Sequence, residues 1–239
     1  LLSLDTSTLT LSVALLRDGV VREHRLVPPP RRQSEVLPGE LDALVRAHGA
    51  TLRDVRGFVV GLGPGSFTGL RIGLATVKGL AYSLEVPVAG VSSLAALALE
   101  APEGVECVAC AVVKKGELYL GRYRREGGAV VALSPEASLP VAGVGELLAR
   151  APAAVAVGPA LLEYRAALVA AGARAEQLLP GPFVPSAVAL ARLAQVPAAY
   201  DKAALFALEP HYLRGSGAEE NPKFPPLPGV APVARLKED

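Results

Sequence analysis

The sequence predicts an α/β fold made of two halves, each of the order βββαβαβα. Three observations lead there. Apolar, strand-like runs recur at residues 1–5, 9–16 and 20–27 before the first helical pattern begins. A further apolar run at residues 57–60 feeds a glycine-rich loop that opens into a long helix. After a stretch marked by Pro102 and Gly104, a similar order of elements starts again without obvious sequence repetition.

Taken in order, the first strand ends on an acid, Asp5, and the turn Arg17-Asp18-Gly19 joins the next two strands. Pro28, Pro29 and Pro30 break this meander. From Ser34, read as an N-cap, the pattern turns helical, with Val36, Leu37, Leu41, Leu44 and Val45 on one side and Gly49 as the stop. Pro38 falls within the first turns, where it kinks the helix or moves its start later. Next come the strand at 57–60, the glycine loop, a helix over 68–83, a strand at 86–91 and an apolar helix from Ser92 and Ser93. The second half reads as strands at 105–113, 118–123 and 130–133, a helix at 144–150, a strand at 154–157 and a helix at 161–171. A weak strand near 177–179 and a last helix at 185–194 complete it. The division is therefore 1–102 for the first domain, 103–214 for a second, degenerate one, and 215–239 for a proline-rich tail that is mobile or extended.

With 239 residues, 51% of them hydrophobic, the chain supplies apolar surface for a full core. Lys plus Arg number 24 against 23 acids, a formal charge of +1, which is not the footprint of a protein that holds nucleic acid mainly by itself. No apolar run reaches about 18 residues and no signal segment opens the chain, so no membrane role and a cytoplasmic location are expected. Cys107 and Cys110 have CxxC spacing but sit in a strand-like run, where residues three apart point to opposite faces; they read as buried, unpaired thiols.

The glycine loop has the layout of a phosphate grip, with glycines at 61, 63 and 65 between strand and helix. A Walker A loop needs Lys and then Ser or Thr after its last glycine, and Gly69 is followed by Leu70 and Arg71. A Rossmann fingerprint needs a third glycine three residues after Gly-x-Gly, which neither pair here has. Ser66 lacks the flanking glycines of a nucleophile elbow, since Pro64 and Thr68 stand there. What remains is a loop freed by Gly63 and Gly65 and stiffened by Pro64, with Ser66 or Thr68 as helix cap. Along the helix, Gly69 and Gly73 lie one turn apart, and Ala75 and Gly79 repeat that spacing, leaving a small-residue face that another helix can approach closely.

A βββαβαβα half repeated once, with an acid closing the first strand, resembles the arrangement of the actin-like ATPase superfamily, which includes sugar kinases. A closer match is carried by Leu4-Asp5-Thr6-Ser7, Ser34-Glu35-x-Leu37-Pro38, Gly63-Pro64-Gly65-Ser66-Phe67-Thr68-Gly69-Leu70-Arg71-Ile72-Gly73, Gly116-Glu117-Leu118-Tyr119 and Glu209-Pro210-x-Tyr212-Leu213-Arg214. Together these resemble the bacterial TsaB (YeaZ) family. The resemblance implies a non-catalytic subunit of the machinery that makes threonylcarbamoyladenosine beside the tRNA anticodon. It implies the partners TsaD and TsaE, a homodimer when alone, and tRNA contact only within the complex. No cofactor of its own is implied; ATP and metal are expected on the partner subunits. The implied partner interface lies on the first two helices, at Ser34, Leu37, Leu41, Leu44, Val45, Gly69, Leu70, Arg71, Ile72, Gly73 and Thr76, so that Gly73→Gln is expected to break the association.

Chemistry of its own would need an acid and a hydroxyl- or glycine-bearing turn after the first strand of each half, to grip phosphates and organise Mg²⁺. The first half offers Asp5, Thr6 and Ser7, and with Gly63, Gly65 and Ser66 these form a vestigial nucleotide loop. In the second half Val112 falls where related sequences often carry Asp. Asp5 reads first as a strand-end carboxylate bonded to hydroxyls or loop amides. His24, His48 and His211 are scattered, with no ligand spacing, so no metal site is expected. A second departure is Gln33, where relatives commonly have His. Two basic groups, Arg22, Arg25, Arg31 and Arg32, and Arg122, Arg124 and Arg125, read as solvated strand ends and loops. The rival reading is a small ATP-binding hydrolase or kinase of the same superfamily, separated from the first by calorimetry with ATP; a protease reading finds no His and Asp pair for Ser66.

Overall fold

The structure, a computed structural model, describes residues 1–30, 32–181 and 183–213; the tail assigned to 215–239, Arg31 and Arg214 lie outside them. At the centre of the first sheet is β1 (Leu2–Asp5), antiparallel to β2 (Leu11–Arg17) and parallel to β4 (Phe58–Gly61). With β3 (Val20–Val27) and β5 (Val88–Val91) the order is β3-β2-β1-β4-β5. Every residue of β1 and β4 is buried, which is why both read as continuous apolar runs rather than alternating ones. One face is covered by α1 (Gln33–Arg46) and α2 (Phe67–Leu84), whose Leu37, Leu41, Leu44, Leu74 and Val77 join Leu2, Leu4, Leu11, Phe58 and Val60 in one core. On the other face lie α3 (Ser93–Ala98) and, from much later in the chain, α6 (Ala187–Leu193).

The second sheet repeats the plan with β6 (Glu106–Lys114), β7 (Glu117–Glu126), β8 (Ala129–Ala132) and β10 (Val155–Val157) in the order β10-β6-β7-β8, while β9 (Ala137–Pro140) also pairs with β7. Its outer face is covered by α4 (Val141–Arg150) and α5 (Ala160–Ala170). Its inner face packs on α3, where Leu94, Leu97 and Ala98 meet Cys107, Ala109 and Tyr123. This is the duplicated α/β arrangement of the actin-like ATPase fold, with α3 wedged between the two sheets.

Four details differ from the sequence reading. Ser34 is not the N-cap: α1 starts at Gln33 after Arg32, with no side-chain cap bond, because the Gln33 amide instead donates to the Thr8 carbonyl at 2.7 Å and pins the first turn to the β1–β2 connection. Pro38 does not move the start of α1 later: it lies inside the helix at an exposed position, where the carbonyl it leaves without a helical partner can reach water. The weak strand near 177–179 is a 3₁₀ turn (Ala175–Gln177) followed by a single parallel bridge from Ala156 to Leu178. There the buried Gln177 amide turns inward to the carbonyls of Leu148, Ala151 and Ala154, tying the turn to the end of α4. Finally, β9 and α7 (Lys202–Ala207) were not read from the sequence, and the boundary at 103 is not a packing boundary: Ala187, Ala189 and Leu190 pack on the first sheet and Leu205 enters its core.

Cys107 faces α3 and Cys110 faces α4 and α5, on opposite sides of β6. Burial pushes both thiols up to about 12. In the native protein neither is expected to react with a thiol reagent at pH 8, and both are expected to react once denaturant is added; a colorimetric thiol titration checks this.

Candidate functional site

The glycine loop and the start of α2 meet the end of β1, and Asp5 is the hinge of that meeting. A Cβ on Gly61 would lie 2.0 Å from Asp5 Oδ2, so the last residue of β4 must lack a side chain for the carboxylate to fit. Asp5 is fully buried. Its Oδ1 accepts from the Ser7 amide (2.9 Å) and the Ser7 hydroxyl (2.6 Å), and its Oδ2 accepts from the Ser93 hydroxyl (2.6 Å). Burial raises its pKa above the usual carboxylate range, with the donors on Ser7 and Ser93 pulling the other way.

The loop is bound to the same group of residues. Gly63 adopts φ +89°, which glycine tolerates without strain. Its amide donates to Ser93 Oγ at 3.1 Å and its carbonyl accepts from Ser93 N at 2.8 Å. Ser66 N donates to the Ser7 carbonyl at 2.8 Å, and Ser66 Oγ caps α2 by accepting from Gly69 N. A Cβ at Gly65, Gly69 or Gly73 would fall 2.4 Å from Ser7 O, 2.1 Å from Thr6 O and 2.3 Å from Thr6 Oγ1 respectively. Thr6 and Ser7 therefore rest directly on the loop and on α2, and the amides of Gly63 and Ser66 are spent on the chain's own oxygens. In the second half the corresponding turn commits its Gly116 amide to the Tyr164 hydroxyl at 3.0 Å, with Val112 half-buried nearby on β6. Chemically this is a closed hydrogen-bonded joint, with the carboxylate turned inward.

The predicted interface residues separate into two groups. Leu37, Leu41, Leu44, Val45, Leu70, Gly69 and Gly73 are buried within the chain, the leucines and Val45 against the first sheet or loop and the glycines against Thr6. They cannot offer a surface to a partner. Gly73→Gln would disrupt the monomer's own packing and is no test of association. Ser34 and Arg71 are exposed, and Ile72 and Thr76 half-buried. The exposed small face continues along α2 through Ala75, Gly79 and Ser83 and along α1 through Gly39 and Ala43, and among the described residues a Cβ at Gly39 or Gly79 would meet nothing within 4 Å.

Several residues that matter here carry no signal in spacing. Ser93, which holds both Asp5 and Gly63, reads in sequence only as a helix start. The segment 201–213 returns along α2: Phe206 meets Tyr82 edge-on with ring centroids 5.8 Å apart, and Tyr212 lies 5.1 Å from Phe67. Arg71 stacks over Phe67 at 4.0 Å and donates to the Tyr212 hydroxyl at 3.0 Å, and His211 N donates to Leu62 O at 2.8 Å. Tyr212 of the late motif thus docks on Phe67 and Arg71 of the glycine motif, far away in sequence.

Of the basic groups, Arg25 pairs with Glu23 and Glu40, Arg32 with Glu35, Arg122 with Glu106, Arg124 with Glu126 and Arg125 with Glu103. His24 reaches Ser12 Oγ at 2.9 Å and His48 reaches Glu23 at 2.9 Å. Ser12 is fully buried and its oxygen also accepts from Ala187 N, so this Ser and His pair is a strand-to-helix tie without access to a substrate carbonyl. Among the described residues no group of three His, Cys, Asp or Glu side chains is placed to hold a metal ion, and no helix is long and apolar enough to cross a membrane.

A family model described as TsaD, tRNA N6-adenosine threonylcarbamoyltransferase, matches residues 27–204. The threonylcarbamoyladenosine biosynthesis protein TsaB of Escherichia coli K12 is 39% identical over 129 residues, 53% of this chain and 55% of that protein. TsaB of Bacillus subtilis 168 is 32% identical over 150 residues, 62% of this chain and 65% of that protein. The alignments thus span between half and two thirds of these curated relatives. Two solved structures from Pseudomonas aeruginosa overlay on the fold. One, described as an uncharacterized protein with similarity to peptidase YEAZ, has a TM-score of 0.72 at 30% identity and covers 89% of this chain and 98% of its own. The other, YeaZ, has a TM-score of 0.68 at 31% identity, covering 80% and 88%. With the motifs, the fold and nearly full-length relatives in agreement, the chain belongs to the TsaB (YeaZ) family.

Proposed function

We propose that this chain is a non-catalytic scaffold subunit in the formation of threonylcarbamoyladenosine on tRNA. It binds and activates a TsaD-type partner, with TsaE, through the outward faces of α1 and α2. The observation that carries this reading is the run of small, exposed residues on two helices packed side by side, with open space at Gly39 and Gly79. Interior helix glycines cost about 1 kcal/mol each relative to alanine, and at Gly79, unlike Gly69 and Gly73, an added Cβ would meet no described residue within 4 Å, so close packing inside the described chain does not call for glycine there. Close approach of a partner helix does. The relatives in E. coli and B. subtilis are named for threonylcarbamoyladenosine biosynthesis, and the matching family model is described as the transferase. Asp5, with both oxygens occupied by Ser7 and Ser93, is unavailable to organise a phosphate-bound cation, so the transfer chemistry, its metal and its ATP fall to the partners. Contact with tRNA then occurs only in the assembled complex, and in the absence of a partner two copies pair through the same face.

Gly79→Arg tests this. The substitution places a long side chain into open space, so thermal unfolding should shift by no more than about 3 °C while co-elution with the TsaD-type partner weakens at least about tenfold. Undiminished co-elution would overturn the interface.

A further inference from the structure

We propose that Glu136 is a latch that fixes the pose of the second half against the first and, through it, the setting of the glycine loop and α2. Glu136 lies on the connection between β8 and β9, and its side chain is only 15% exposed. Its Oε1 accepts two hydroxyls, from Tyr123 on β7 and from Ser92 at the head of α3. Its Oε2 faces His211 Nδ1 at 3.9 Å. One carboxylate thus meets the second sheet, the helix between the sheets and the returning C-terminal segment.

Both outward branches end on the same loop. Ser92 caps α3 by accepting from Leu94 N (3.1 Å) and Ala95 N (3.2 Å) while giving its proton to Glu136. The next residue, Ser93, donates to Asp5 and accepts from Gly63 N. On the other branch, His211 N donates to Leu62 O, and its neighbour Tyr212 packs on Phe67 and Arg71 at the first turns of α2. Beside these bonds, Arg125 Nη1 donates to the Ala101 carbonyl, and α3 meets the second sheet through apolar contact, with Leu94, Leu97 and Ala98 against Cys107, Ala109 and Tyr123. Apolar contact is non-directional and permits sliding; hydrogen bonds to a part-buried charge are directional and strong, and they select one register. Burial and the neighbouring Glu136 charge also raise the Tyr123 pKa, so its proton stays in place as a donor. A change of pose between the halves and a change at the head of α2 are then linked, and linkage runs both ways: a partner seated on α2 reports to the second half through this carboxylate.

Amide hydrogen exchange on the full chain tests the latch. In Glu136→Ala the amides of Gly63, Leu94, Ala95 and His211 should exchange about tenfold faster or more, the factor expected for losing a charge-assisted hydrogen bond, while amides of β1 and β4 stay unchanged. Glu136→Gln keeps an oxygen where Oε1 sits and should recover most of the protection, and Tyr123→Phe should give a smaller rise at the same amides. Adding Tyr123→Phe to Glu136→Ala should produce little further change, because the two act through one bond. Unaltered exchange at Gly63 and His211 in Glu136→Ala would overturn the latch, as would full additivity of the two substitutions. A loss of protection spread evenly over β1 and β4 would assign Glu136 to general stability instead. None of these outcomes depends on whether a TsaD-type partner binds.

Discussion

Gly69→Ala is expected to destabilise the protein by about 2–4 kcal/mol, lowering the melting temperature by about 5–15 °C. The added methyl would sit 2.1 Å from the Thr6 carbonyl oxygen, and that oxygen belongs to backbone which cannot rotate out of the way. Relief requires α2 to move off the β1–β2 connection, which breaks the Ser66 N to Ser7 O bond and disturbs Leu70 and Leu74 beneath. On propensity alone the same change in a helix should gain up to about 1 kcal/mol, so the sign of the result separates packing from propensity. Gly79→Ala is the matched control: its methyl meets open space and should stabilise slightly. Thermal unfolding of the two variants side by side decides the matter; a neutral Gly69→Ala would show that the close approach of Thr6 to α2 is not required.

Asp5→Ala should be comparably severe, about 3–5 kcal/mol, because it strands the Ser7 amide, the Ser7 hydroxyl and the Ser93 hydroxyl at a fully buried position. Asp5→Asn keeps the shape and an accepting oxygen, and Ser93 can reorient its proton, so its cost should be within about 1.5 kcal/mol. The pH dependence distinguishes them further. The Asp5 pKa is raised in the folded state, so the folded chain holds that proton more tightly than the unfolded one. Asp5 therefore contributes a stability that is fully present below the ordinary carboxylate value and is lost as pH rises through its folded pKa. Wild type should accordingly lose more stability than Asp5→Asn as the pH is raised across that window, measured by urea unfolding at several pH values. Parallel curves for the two would show that Asp5 does not titrate differently on folding.

How far such features were legible depended on whether their cause is local. The strand at 57–60, the glycine turn and the opposite-facing cysteines follow from periodicity and turn chemistry and are present in the structure, and of the two cap candidates, Ser66 and Thr68, it is Ser66 that caps α2. The spacing of Leu37, Leu41, Leu44 and Val45 also puts them on one helical face, but an apolar face only says that something covers it. Here the cover is the chain's own sheet. Gly69 and Gly73 read as a surface for the same reason: a small residue marks close approach without naming what approaches, and here Thr6 lies against both. Ser93, Glu136 and His211 could not be placed from sequence because their partners lie up to about 150 residues away and their meeting depends on how the halves close.

The return of α6 and α7 to the first half has a consequence for how the chain is made. Val59, Ala89 and Ala96 on the far side of the first sheet are covered by Ala189 and Leu190, and Leu205 closes the near side. During synthesis the half that emerges first keeps part of its apolar surface uncovered until α6 and then α7 have been released. Order of translation and order of completion are thus reversed, and a chain cut short before α6 would present bare apolar sheet to whatever it met first.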